Sequence, residues 1–268
     1  YVDVNFKIDP RTHRDSKLTG GGGRAAIQKN RSEGQLCVQV MTGTTVTCQG
    51  GYSGAGIGGS YAIRYLVTTD KLTEALSRSG SDKLSLSGNT LTRADGCIVD
   101  LGSAGKGIAL DKVKSYLSDK KISSAVVSVG GSVLLYGKGS FNVGVRDPWG
   151  EAGRSVMTVR LGAGCVSTSG SYERCFEQGG KRYHHILDPD TGLPVENGLV
   201  SVTVISDSGL LSDALSTACF VLGAEGGAKL AAKYGCEAIF ITEDKKVICT
   251  DGIKPNVTVL ADGYTVVE

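Results

Sequence analysis

The sequence lacks the features that mark several large classes of protein. Its 29 basic and 27 acidic side chains leave a net charge of only +2, which argues against a partner such as nucleic acid or an anionic membrane. No apolar stretch approaches the ~18 residues of a membrane helix, and none resembles the core of a signal peptide. These absences exclude classes of protein but do not assign a compartment.

Paired cysteine motifs are also missing. The eight cysteines form no C-x-x-C pair, and no histidine stands at metal-finger spacing, which argues against a zinc site. Because Cys97, Cys219 and Cys249 lie inside apolar runs, we expect mostly free, buried thiols. The even count also permits disulfides in an oxidising compartment.

Glycine is present in excess. Aromatic residues make up only 6% and prolines number five, but there are 39 glycines, about 15% and roughly twice the ordinary share. The 40% hydrophobic content and the absence of a G-x-y period exclude collagen and disorder, and the length suits one large domain or two small ones. Between residues 20 and 60, 12 of 41 residues are glycine and no helical or strand pattern is sustained, which predicts a loop-rich segment.

From residue 69 onward the hydrophobic pattern is that of helices and strands. Runs of consecutive strands with only a few helices predict an α+β fold with layered mixed or antiparallel sheets and packed helices. The predicted helices cover 70–78, a segment from 108, 212–222 and 225–234. The predicted strands cover 97–99, 125–129, 133–136, 141–145, 156–161, 199–206, 237–242 and 246–250, with a hairpin over 83–92.

A glycine loop that opens a helix could bind phosphate. Residues 100–107 read D-L-G-S-A-G-K-G, and such a loop presents unpaired amides and a positive dipole end to an anion. The loop is not a Walker A motif, because Gly107 follows Lys106, and its glycine spacing is not the Rossmann one. A tight turn with a solvated lysine explains the same residues.

Two oxygen-bearing side chains stand four residues apart on a predicted helix. Asp213 and Thr217 therefore lie on one face, and a carboxylate with a hydroxyl suits Mg²⁺. The alternative is that Asp213 complements the helix N-terminus and Thr217 only packs.

Two of the three histidines are adjacent, in H-H-I-L-D-P-D-T-G over 184–192. In an extended segment their side chains point to opposite faces, so only one can serve a given site, as a general base or as a structural group. The cluster of hydroxyls over 167–174 has no G-x-S-x-G elbow, which argues against a serine hydrolase.

Taken in order, these segments resemble the ApbE family, the FAD:protein FMN transferases. Six matching stretches follow one another in the family's order. They are D-L-G-S-A-G-K-G (100–107), V-S-V-G-G (127–131), V-G-V-R-D-P (143–148), T-S-G-S-Y (168–172), the histidine segment (184–192) and D-A-L-S-T-A (213–218).

The resemblance implies a T-fold-like architecture and a Mg²⁺-dependent transfer of FMN from FAD to a Ser or Thr of an acceptor protein, releasing AMP. The acceptor would carry a motif of the S/D-G-A-S/T type, and nucleic acid is not a partner. By the same resemblance Mg²⁺ is held by Asp213, Thr217 and the backbone oxygen of Ser103, FAD contacts Asp100, Lys106 and Ile186, and His185 accepts the proton of the acceptor hydroxyl. His184 is then structural.

The sequence departs from the family pattern near its beginning. The usual Gly-Ala-Phe-Asp segment is replaced by S-G-A-G-I-G over 53–58, and residues 1–50 match no family segment. FAD affinity is the property that this departure affects. We expect one domain over 1–268 with a divergent, glycine-rich 1–60, located outside the cytoplasmic membrane as in the family, with an anchored lipoprotein or a cytoplasmic location left open. A Mg²⁺-dependent FAD pyrophosphatase and a non-catalytic FAD-binding module are the alternative functions.

Overall fold

A computed structural model describes residues 18–19, 35–39, 45–49, 69–151 and 153–267. The chain divides into two compact units, Tyr1–Arg64 and Tyr65–Glu268, and the single domain stays a prediction. The described part of the first unit is a sheet of β1 (Leu18–Thr19), β3 (Thr45–Gln49) and β2 (Gln35–Gln39), in that order.

Strands β2 and β3 correct the loop-rich prediction for 20–60 where that segment is described. Five-residue strands with glycines nearby contain too few alternations to stand out in the sequence. The glycine run at 20–23 and the S-G-A-G-I-G segment at 53–58 lie outside the described residues.

The second unit contains three helices and fourteen strands within its described residues. The helices are α1 (Thr69–Ser77), α2 (Gly105–Asp119) and α3 (Gly209–Lys233). The strands are β4 (Leu84–Ser87), β5 (Thr90–Arg93), β6 (Ser124–Val129), β7 (Ser132–Gly137), β8 (Phe141–Arg146), β9 (Ser155–Leu161), β10 (Gly164–Gly170), β11 (Cys175–Gln178), β12 (Lys181–His184), β13 (Leu199–Ser206), β14 (Glu237–Thr242), β15 (Lys246–Cys249), β16 (Val257–Val259) and β17 (Thr265–Val267).

A seven-stranded sheet is the central layer of this unit. Its order is β17-β15-β14-β13-β10-β7-β6, antiparallel except for the parallel pair β15 and β17. Helices α2 and α3 pack on the sheet, and a separate sheet has the order β16-β9-β8. The α+β fold with layered sheets is therefore confirmed.

Two hydrophobic cores lie on the two faces of the central sheet, as β14 shows by its alternation. Ile239 and Ile241 enter a core with Val156 and Met157 of β9. Ala238 and Phe240 enter the other core, which includes Phe220 of α3. Burial of a strand on both faces removes the polar alternation of an exposed sheet and leaves a continuous apolar run.

Most predicted elements of the second unit are confirmed, but one predicted strand is wrong and five strands, β10, β11, β12, β16 and β17, were not predicted. The predicted strand at 97–99 is wrong: these residues join no strand, and Ile98 is 87% exposed. The central strand β10 was not predicted, because G-C-V-S-T-S-G has few β-branched or aromatic residues. The helices predicted at 212–222 and 225–234 are confirmed as the two segments of α3, which Gly223 separates with a φ of 75°.

The described cysteines of the second unit are free thiols, as predicted. Cys97, Cys165, Cys219 and Cys236 are buried. Burial raises the pKa of Cys165 and of Cys219 to about 11, so these thiols stay protonated and behave as apolar groups.

Candidate active site at the crossing of two helices

Helices α2 and α3 touch through their backbones near their N-termini. A Cβ atom on Gly107 would collide with the carbonyl oxygen of Gly209, and a Cβ on Gly209 would collide with that of Gly107. Only glycine allows this approach, which brings the first turns of the two helices together. The glycine loop and the helix that carries Asp213 therefore meet at one place.

Each helix caps the other with a carboxylate. Asp213 Oδ2 of α3 accepts a hydrogen bond of 2.9 Å from the amide of Gly107 in the first turn of α2. In return, Asp111 of α2 accepts from the amides of Gly209 (2.6 Å) and Leu210 (2.9 Å). The negative charges satisfy unpaired amides and complement the positive helix ends.

Asp213 is also paired with the lysine of the glycine loop. Its side chain is buried, 3% exposed, and Oδ1 lies 2.7 Å from Nζ of Lys106. The hydroxyl of Ser132 donates a longer hydrogen bond, 3.3 Å, to the same oxygen. Lys106 is therefore ion-paired rather than only solvated, and Asp213 complements the N-terminus of the neighbouring helix α2.

The other two predicted metal-binding residues, Ser103 and Thr217, are close in sequence to Lys106 and Asp213. Thr217 lies one turn beyond Asp213 on α3, and its Oγ1 is 3.0 Å from Oγ of Ser169. Ser103 is exposed in the turn before α2. If α2 began one turn earlier, the amide of Gly107 would donate to the carbonyl oxygen of Ser103. Here that amide donates to Asp213.

The remaining predicted FAD contacts lie in different environments. Oδ1 of Asp100 accepts a 2.6 Å hydrogen bond from the amide of Gly102 and so shapes the glycine loop. Ile186 is only 3% exposed and belongs to the core under α3. Contact of either residue with FAD stays a prediction.

The two histidines lie in different environments. His184 ends β12, and its half-buried ring lies edge-on to Phe220 with Nε2 3.1 Å from the carbonyl oxygen of Val195. Its Nδ1 has no hydrogen-bond partner among the residues that the structure describes, and burial lowers its pKa. The structural role of His184 stays a prediction, which its contact with Phe220 supports.

His185 retains an exposed surface, yet its ring is held neutral. Desolvation, the largest cause, and the positive charges of Arg174 and Lys106 together lower its pKa to about 4. The ring is therefore an unprotonated base at neutral pH, in the field of the lysine that pairs with Asp213.

Sequence reasoning noted the hydroxyls over 167–174 but missed the set that two of them form behind Asp213 and Thr217, in which Ser169 is half-buried and the other members are buried. Its members are Ser132, Ser167, Ser169, Ser212 and Ser216. The two-residue spacing within β10 and the four-residue spacing within α3 are the periods of one strand face and one helix face. These two spacings were the signal that the sequence offered.

Comparison with known proteins decides the family. A model described as the ApbE family matches residues 41–240, most of the chain. The chain belongs to the ApbE family. It is similar to the FAD:protein FMN transferase of Klebsiella pneumoniae, 38% identical over 174 residues, which are 65% of this chain and 54% of that protein. It is also similar to the FAD:protein FMN transferase of Treponema pallidum, 37% identical over 212 residues, covering 71% of this chain and 59% of that protein.

A solved ApbE structure has the same fold. The crystal structure of the ApbE protein of Thermotoga maritima aligns with a TM-score of 0.67 at 31% identity, over 74% of this chain and 66% of that chain. The predicted membership in the ApbE family is confirmed. The chain spans a little over half the length of the two curated relatives.

Proposed function

We propose that this ApbE-family chain transfers the FMN part of FAD to a Ser or Thr hydroxyl of an acceptor protein and releases AMP. The names of the similar proteins from Klebsiella and Treponema support the proposal. The observation that carries it is the Lys106 and Asp213 ion pair, whose carboxylate is buried where the first turns of α2 and α3 meet. This arrangement provides a cation, amides and a carboxylate at one place, as phosphoryl transfer requires.

The donor set fits a Mg²⁺ ion. Oδ1 of Asp213 already pairs with the ammonium group of Lys106. The amide of Gly107, which in a longer helix would donate to the Ser103 carbonyl, donates to Asp213. The Asp213 carboxylate, the Thr217 hydroxyl and the Ser103 backbone oxygen are the hard oxygen ligands that would hold the ion. When bound, Mg²⁺ neutralises negative charge on the FAD pyrophosphate.

The residues of the chain account for the rest of the reaction. Lys106 and the glycine loop bind the pyrophosphate, with Asp100 and Ile186 as the flavin-nucleotide contacts that the family resemblance implies. His185, neutral at pH 7, accepts the proton of the acceptor hydroxyl. The hydroxyl oxygen bonds to the phosphorus of FMN, the pyrophosphate P–O bond breaks, and AMP leaves with the bridging oxygen.

An acceptor assay tests this function. The chain is incubated with FAD, MgCl₂ and an acceptor domain bearing S-G-A-T, and the acceptor is analysed by intact-mass spectrometry. We expect a mass increase equal to one FMN, and its loss in Asp213→Asn because the carboxylate charge is removed. Release of FMN and AMP without change in the acceptor indicates an FAD pyrophosphatase. Bound FAD without turnover indicates a binding module, and either result overturns the transferase.

A further inference from the structure

Strand β10 presents alternate hydroxyls to α3. Ser167 and Ser169 are two residues apart and lie on the strand face opposite Thr168. Ser167 lies 2.9 Å from Ser212 of α3, and Ser169 lies 2.8 Å from Ser216 and 3.0 Å from Thr217. The strand that the hydrophobic pattern missed therefore contacts the helix that carries both proposed side-chain ligands.

Counting protons fixes the direction of the bonds at Thr217. Each hydroxyl has one proton to donate and two lone pairs to accept with. Ser216 donates to the backbone oxygen of Asp213, 2.8 Å away, because a carbonyl can only accept. Ser169 must then donate to Ser216, and Thr217 must donate to Ser169. The proton of Thr217 points at β10, which leaves its lone pairs for another partner.

A second chain of hydroxyls runs toward the carboxylate of Asp213. Ser132 donates to Oδ1 of Asp213, and Ser167 donates to Ser132 at 2.9 Å. Ser212 donates to the carbonyl oxygen of Gly209 in its own helix, and its oxygen lies 2.9 Å from that of Ser167. Ser132, Ser167 and Ser212 are completely buried, so water cannot replace any of these hydrogen-bond partners.

We propose that Ser167 and Ser169 of β10 are positioning residues that orient Asp213 and Thr217 to bind a divalent cation. Ser169 does so by accepting the hydrogen bond that the Thr217 hydroxyl donates, and Ser167 by donating to Ser132, which donates to Asp213. The inference rests on the metal site of the proposed function. Groups that orient metal ligands change metal affinity by about 10- to 100-fold when removed.

Manganese binding tests the inference without relying on activity. Mn²⁺ is titrated into the full chain, and free Mn²⁺ is measured by its EPR signal. We expect Ser169→Ala to weaken Mn²⁺ binding by about tenfold or more, and Ser169→Thr, which keeps the hydroxyl, to bind better than Ser169→Ala. Thr168→Val is the matched control, because Thr168 hydrogen-bonds Thr203 at 2.9 Å from the other face of β10. It should bind Mn²⁺ within about twofold of the unaltered chain.

The outcomes separate the inference from the proposed function. Equal Mn²⁺ affinity in Ser169→Ala and the unaltered chain overturns the inference and leaves the metal site intact. Failure of the unaltered chain to bind Mn²⁺ overturns the metal site, and the inference with it. If Ser169→Ala does not fold, Ser216→Ala breaks the same chain one bond further on, and unchanged affinity there overturns the inference equally.

Discussion

At the scale of single residues, Lys106 compensates a buried negative charge. Its Nζ lies 2.7 Å from Oδ1 of Asp213, and its side chain is 27% exposed against 3% for the aspartate. Removal of the lysine therefore leaves a carboxylate that water reaches poorly.

We expect Lys106→Gln to lower the free energy of unfolding by about 1–2 kcal/mol in EDTA, less than for a fully buried pair because the lysine is partly solvated. A divalent cation should restore more stability to this variant than to the unaltered chain, because it replaces the missing charge. Urea denaturation with and without Mg²⁺ measures both effects. Lys112→Gln, an exposed lysine of the same helix, is the control, and equal losses in the two variants contradict the assignment.

His185 gives a prediction about pH. Its folded pKa of about 4 lies below the ordinary value of 6.5, so the folded state favours the neutral ring. The resulting stabilisation is complete above pH 6.5 and is lost as pH falls from 6.5 toward 4. We expect the ring proton NMR signal of His185 to titrate near pH 4, with His185→Gln identifying the signal. A midpoint near 6.5 shows that the ring is not desolvated.

At the scale of elements, α2 and α3 stabilise each other through reciprocal caps. Asp111 accepts from Gly209, Leu210 and the hydroxyl of Ser208 at the start of α3. We expect Asp111→Ala to cost about 1–2 kcal/mol, the usual loss for an N-terminal cap. Chemical denaturation measures this cost, and Asp119→Ala at the exposed C-terminal end of α2 is the control. An equal midpoint in both variants contradicts the capping role.

Some elements could be predicted from the sequence and others could not. Strands with β-branched runs, such as β9 and β13, were predicted to within a residue, and the spacing of Asp213 and Thr217 gave their common face. The ion pair between Lys106 and Asp213 could not be predicted by spacing, since 107 residues separate them and only the crossing of two helices joins them. Strand β10 was missed because its serines serve hydrogen bonds to α3 rather than a hydrophobic face.

At the scale of the second unit, the layers separate stability from chemistry. The core between the central sheet and the β16-β9-β8 sheet is lined by side chains such as Met157, Ile239 and Val247. The charged and hydroxyl groups of the candidate site lie on the helix-covered side. Their placement there surrounds a buried charge with hydrogen-bond partners while the other core remains apolar.

The contact between Gly107 and Gly209 prevents compensating substitutions at these two positions. In most packed interfaces a larger side chain on one element can be accommodated by a smaller one opposite. Here each glycine meets the other's carbonyl group, so the opposite residue has no side chain left to lose. A larger residue at either position therefore cannot be accommodated by a substitution at the other. The helix crossing that carries the charged pair is therefore fixed by two residues that must be kept independently.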